Sequence, residues 1–141
     1  MSGPDKLSII VHSGVFDKVH YALAMAAAAA ATNRAATLFF TMEAITALKG
    51  RGDQAGWRAM ATTGGGRGAD RDRDLADNGI GAFEDLLDAC ETMGVAIMVC
   101  EMGLKAIGLR RDDLRGDIAI KEGGIVTFLN DAEKTGQILF I

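Results

Sequence analysis

The sequence predicts a single three-layer α/β domain over residues 1–141, with a mainly parallel sheet of about five strands and helices on both faces. Three observations carry this. Short β-branched or apolar runs (LSIIV, ATLFF, VAIMV) recur between segments of helical character. A chain of 141 residues, 49% of them hydrophobic, is long enough to bury a core without disulfides or a metal. Glycines fall where helices should stop, as at Gly50, Gly94 and Gly136.

The elements follow in order. Leu7 to Val11 reads as a strand buried on both faces, ending in the turn His12-Ser13-Gly14. Asp17 opens a helix that runs to Thr32 and contains six consecutive alanines, Ala26 to Ala31. Alanine is the best helix former, and this run serves close helix packing. Ala36 to Phe40 is the second strand. Thr41 is expected to cap the next element, with Glu43 in its first turn and Gly50 past its end.

Between Gly79 and Gly94, apolar residues at 83, 86, 87 and 90 form a helical stripe. Val95 to Val99 is the third strand, and Cys100 leads into a short helix, EMGLKAIGL. A brief strand is expected at Ile118 to Ile120, a helix from Gly124 to Lys134, and a closing strand from Ile138 to Ile141.

Residues 51–78 break the alternation. They hold GGGRG at 64–68 and the mixed-charge run RGADRDRDLAD from 67 to 77, and read as a flexible, solvated insert or a functional lid. Trp57 is expected to pack down and pin part of the segment. GGGRG is not a phosphate loop, because no strand precedes it and no Lys-Ser/Thr follows.

Charge and composition exclude several roles. The net charge of −4 leaves no dominant basic face, which argues against nucleic acid and acidic membranes as partners. Two cysteines are too few for a secreted disulfide scaffold. The opening MSGPDKLSIIVHSG lacks signal-peptide character. The apolar stretch from Tyr21 to Ala31 is about half the ~20 residues a membrane helix needs. A cytoplasmic protein without membrane insertion is expected. There is no CxxC, and His12 and His20 are eight residues apart on different elements, so no metal site is expected.

Ligands of an open parallel sheet bind outside the carboxyl ends of its strands. That rule selects His12, Ser13 and Gly14 after the first strand, Thr41 and Met42 after the second, and Cys100, Glu101 and Met102 after the third. Cys100 stands where a strand turns into a helix, whose free N–H groups favour a thiolate, while the neighbouring Glu101 opposes it. The plain alternative is a small buried hydrophobe. His12 is a candidate hydrogen-bond donor near a thiolate, and equally a structural residue. His20, inside the first helix, reads as structural or as a subunit contact. Cys90 lies on the helix before the third strand, at the opposite edge of the sheet. Five residues at ~3.3 Å each put the thiols roughly 15 Å or more apart, too far for a disulfide. Packing is the simpler role for Cys90.

The string CEMGLKAIGLRRDDL, followed by EGGIVTFLND, resembles the DsrE/DsrF-like family of small sulfur-trafficking proteins, in a branch often labelled "peroxiredoxin family". KLSIIVHSGVFDKVHYAL and ATLFFTMEAITAL share the similarity, which leaves out residues 51–78. Its specific core is C-x-M-x-x-x-x-x-G-L, with Gly123-Gly124 and Thr127-Phe128-Leu129 downstream. The resemblance implies a sulfur carrier or sulfurtransferase that holds a persulfide or thiosulfonate on Cys100 and passes sulfur to a relay partner. It also implies homo- or hetero-oligomers, no metal and no organic cofactor. Some of the nearer branch carry a second upstream cysteine, a position Cys90 resembles. The long Arg/Gly/Asp insert departs from shorter members.

In this role Cys100 accepts sulfur, while His12, Ser13, Gly14, Thr41, Glu101 and Met102 shape the pocket. Two other roles compete. A non-catalytic oligomeric ligand-binding or assembly subunit would have inert thiols. A thiol peroxidase would also use Cys100, but Ile97 stands where that class places threonine, three residues earlier.

Overall fold

The computed structural model describes residues 2–141. Five strands, β1 (Lys6–Val11), β2 (Ala35–Phe40), β3 (Ala96–Cys100), β4 (Lys121–Gly123) and β5 (Gln137–Phe140), form one sheet in the order β4-β3-β2-β1-β5. Every pairing is parallel. Five α-helices connect or flank them: α1 (Phe16–Ala31), α2 (Gly68–Asp77), α3 (Phe83–Thr92), α4 (Glu101–Ala106) and α5 (Ile125–Asp131).

Side chains alternate across a strand, so each strand feeds two layers. Ile9, Val11, Leu38, Phe40, Ile97 and Val99 face the larger core, which α1, α3 and the 3-10 helix Met42–Leu48 close with Phe16, Leu23, Leu87 and Leu48. Along α1, Phe16, Val19, Leu23 and Ala26 are buried at helical spacing, and the small alanines let the helix lie close. Asn33, at φ 64°, adopts the left-handed conformation that ends α1, and Arg34 N–H closes the turn on Ala29 O at 2.9 Å.

The opposite face is thinner. Ile10, Phe39, Met98 and Cys100 face α5 alone, through Phe128. Lys6 and Thr37 fasten the end of that helix: Lys6 Nζ donates to Asp131 Oδ2 at 2.9 Å, and the Thr37 hydroxyl donates to the same oxygen at 2.7 Å.

Three expectations need correction. The strand expected at 118–120 lies at Lys121–Gly123, because Ile120 turns its side chain into the core before the pairing with β3 begins. Thr41 precedes Met42–Leu48 but makes no side-chain cap, and that segment winds as a 3-10 helix. Within 51–78, two short 3-10 turns, Gly52–Gln54 and Gly56–Ala59, precede the ten-residue helix α2.

Trp57 is buried as expected, stacked on Phe83 with centroids 4.8 Å apart. Its indole N–H donates to Glu84 Oε2 at 2.8 Å. Glu84 in turn accepts two bonds from Arg115, at 2.8 and 2.6 Å, and Asp117 holds the other side of that guanidinium. The segment is thereby tied to α3 and to the chain before β4. No helix among the described residues is long and apolar enough to cross a membrane.

Candidate functional site

The strand-end residues form a row. Val11 is level with Phe40, and Phe40 with Val99, so the next positions set His12, Thr41 and Cys100 side by side. Gly123 continues the row beyond Cys100. Strands are ~4.8 Å apart, which puts the His12 and Cys100 backbones roughly 10 Å from each other across Thr41.

Cys100 is 1% exposed and packs with Phe39, Met98 and Phe128. Phe128, from α5, stacks on Phe39 at 4.8 Å within the same cluster. The backbone is closely packed at two glycines near the ends of these strands. A Cβ on Gly103, in the first turns of α4, would lie 2.7 Å from the Met42 amide nitrogen and 2.8 Å from Thr41 Oγ1. A Cβ on Gly123 would meet Met98 Cε at 3.1 Å and Thr127 Cγ2 at 3.3 Å. The two glycines therefore let α4 pack closely on the chain after β2, and β4 on Met98 and Thr127. Of the residues following Cys100, Glu101 is exposed and Met102 is 52% exposed, so both face solvent rather than the buried thiol.

His12 and Ser13 turn elsewhere. The His12 ring packs against Phe140 at 5.1 Å, and the amides of His12 and Ser13 both donate to Ile141 O. They line a groove of about 850 Å3 with Tyr21, Met25 and Leu139, which Cys100 does not enter. The Ser13 hydroxyl accepts from Val15 N–H at 3.1 Å and so shapes the turn into α1. Gly14 abuts the Glu43 side chain. The structure thus brings Thr41, Cys100 and the start of α4 together, and sets the His12 side chain toward β5.

Cys90 occupies the other layer. It is fully buried between α3 and α1, and its thiol donates to Leu23 O at 3.5 Å. Burial pushes that thiol up to about 11. Both cysteines are free, and the sheet separates their clusters. His20 is structural here: its Nε2–H donates to Gly81 O at 2.8 Å. Among the described residues, no group of three or more His, Cys, Asp or Glu side chains is placed to hold a metal.

Sequence reasoning missed the lock on α5. Burial raises the Asp131 carboxyl, but the Thr37 hydroxyl and the Lys6 ammonium outweigh it and hold the group below its usual range. Lys6, Thr37 and Asp131 are far apart in the chain, and no local pattern joins them. Thr37 on an otherwise apolar strand was the one available signal.

The model of the DsrE/DsrF-like family matches residues 5–135. The chain belongs to this family. The match includes residues 51–78, so the segment lies within the family domain. Among solved structures, the crystal structure of the ychN protein from E. coli is similar, at 15% identity and a TM-score of 0.57. That likeness covers 96% of this chain and 99% of the other. It shows the fold. No curated protein matches the chain.

Proposed function

We propose that this DsrE-like protein is a sulfur carrier that holds sulfane sulfur on Cys100 and passes it to a relay partner. The observation that carries the reading is the placement of Cys100: it ends β3 at the carboxyl edge of the sheet, where open parallel sheets take their ligands, under a single short helix, whereas Cys90 is locked in the main core. Family membership supports the same role.

The chemistry needs no added oxidant. The Cys100 thiolate attacks the terminal sulfur of a polysulfide, an S–Sγ bond forms, and the shortened polysulfide leaves with the electron pair. Tetrathionate reacts likewise, leaving a thiosulfonate on Sγ and releasing thiosulfate. An acceptor thiolate then attacks the sulfane sulfur bonded to Sγ, and Cys100 departs as thiolate. The apolar walls of Phe39, Met98 and Phe128 keep water and stray reductants from the adduct. Because the thiol is buried, loading requires Phe128 and its helix to move aside.

The partners are donor and acceptor proteins of a relay, together with further copies of this chain. Ile125, Val126, Leu129, Ile138 and Phe140 are exposed along the thin face of the sheet, an apolar strip suited to assembly. A carrier thiol fits the reducing cytoplasm.

That strip also favours a second reading, an assembly subunit with inert thiols. Incubation with polysulfide or tetrathionate separates the two: a DTT-reversible mass gain on the intact protein supports the carrier. Failure to load, together with native thiols that resist alkylation, supports the inert subunit. Peroxide consumption without sulfur loading would favour the peroxidase role instead.

A further inference from the structure

A second cavity, of about 630 Å3, opens between the end of Met42–Leu48, the turns of 52–59 and the start of α2. Lys49, Arg58, Arg67 and Arg73 line it, against Asp53 and Asp70. The wall is therefore net positive in a chain whose formal charge is −4. Asp70 is answered by Arg73, at 3.5 Å. Among the described residues, Lys49, Arg58 and Arg67 form no salt bridge.

The cationic positions are held in place by backbone. Lys49 O accepts from Gly56 N–H at 2.8 Å, and Lys49 bridges Leu114. Arg67 bridges Ala61, and Gly68 N–H donates to Met60 O at 2.8 Å. The Arg58 guanidinium lies over the Trp57 ring, 5.4 Å from its centroid. Close approach is built in: a Cβ on Gly56 would overlap Thr46 O, and one on Gly68 would overlap Trp57 O. Ala69, Asp70 and Arg73, along the first turns of α2, complete the lining. Lys49 and Arg67 are exposed, so water screens their mutual repulsion in the free protein. Among the described residues no carboxylate lies within ion-pair distance of Lys49, Arg58 or Arg67, which leaves them available to an incoming anion.

We propose that this cavity binds a small organic polyanion carrying two or more phosphate groups. Its volume falls within the roughly 300–1,000 Å3 of small-ligand sites and exceeds what one inorganic oxyanion fills. Arg58 offers a guanidinium already oriented by its aromatic neighbour, a geometry suited to phosphate oxygens. A concave wall with small side chains at Ala55, Gly56 and Ala69 favours a small molecule over the flat acidic face of a protein. The site is independent of Cys100 and stands whether or not sulfur loads there.

The test is calorimetric titration of the full chain with ATP and with pyrophosphate, without magnesium, at low ionic strength. The expected result is binding of ATP to wild type and to Cys100→Ala alike, weakening as salt is raised. A Lys49→Ala/Arg67→Ala double variant should bind roughly tenfold or more weakly. The charge-conserving Lys49→Arg/Arg67→Lys variant should bind as wild type does, which separates lost charge from lost fold. Pyrophosphate binding in addition would assign recognition to the phosphates. Absence of binding by both probes at millimolar concentration, or equal binding by the alanine variant, would overturn the proposal.

Discussion

Gly103 packs against Thr41 so closely that a β-carbon on the glycine would stand 2.8 Å from the threonine hydroxyl oxygen. The backbone amide of Met42 is nearer still, at 2.7 Å, and backbone does not yield as a flexible side chain does. This contact seats the first turns of α4, the helix that follows Cys100, against the start of Met42–Leu48.

Gly103→Ala is accordingly predicted to destabilise. Alanine in a helix normally gains about 0.5–1 kcal/mol over glycine. Here the overlap wins, with a net loss of about 1–3 kcal/mol. Urea denaturation checks the stability, and sulfur loading should slow in the same variant. A neutral or stabilising effect would mean that α4 shifts freely.

Phe128 and Asp131 together keep α5 over Cys100. Phe128→Ala removes the cover, and Asp131→Ala releases the tie to Lys6 and Thr37. Both variants should raise the rate at which Cys100 reacts with iodoacetamide, Phe128→Ala by tenfold or more, as read by mass spectrometry. Because the folded Asp131 titrates below the usual carboxylate range, its contribution is present above the ordinary pKa near 4. It is lost as pH falls through the lowered value.

Cys90 should stay unmodified when the native protein is alkylated near neutral pH. Its raised pKa has a stability consequence of definite sign. The neutral buried thiol contributes fully below the ordinary thiol value of ~8.5. That contribution is lost as pH rises toward about 11, where the folded thiol also ionises. Comparing the alkaline unfolding curves of wild type and Cys90→Ala isolates the effect.

The Trp57–Glu84–Arg115–Asp117 network should fail as a unit. Glu84→Ala leaves the Trp57 indole N–H and half of a buried guanidinium unpartnered, although solvent at the half-exposed carboxylate softens the loss. A cost of about 2 kcal/mol is expected, with a shift in Trp57 fluorescence. Hydrogen bonds from Arg115 hold both Glu84 and Asp117 below the usual carboxylate range. The network therefore stabilises above pH ~4 and weakens as acid protonates either partner.

Much of the fold was legible because apolar strands buried on both sides leave contiguous runs, as LSIIV and VAIMV do. β4 was misplaced by three residues because KEG carries no apolar signal, its pairing being set by β3 beside it. The helix α2 was hidden in RGADRDRDLAD, where Leu75 is its one large buried side chain. Locating strand ends was enough to put His12, Thr41 and Cys100 in one row. Where each side chain turns was not readable, since that depends on Phe140 drawing His12 aside and on Phe128 covering the thiol. Contacts across such sequence distances leave no local trace.

Intact-protein mass spectrometry decides whether a single cysteine carries the sulfur. Wild type, Cys100→Ala and Cys90→Ala are incubated with polysulfide, thiosulfate or tetrathionate and weighed before and after DTT. If Cys100 is the carrier, a DTT-reversible sulfur or thiosulfonate adduct forms on wild type and Cys90→Ala and is missing from Cys100→Ala. Equal loading of both single variants would contradict it.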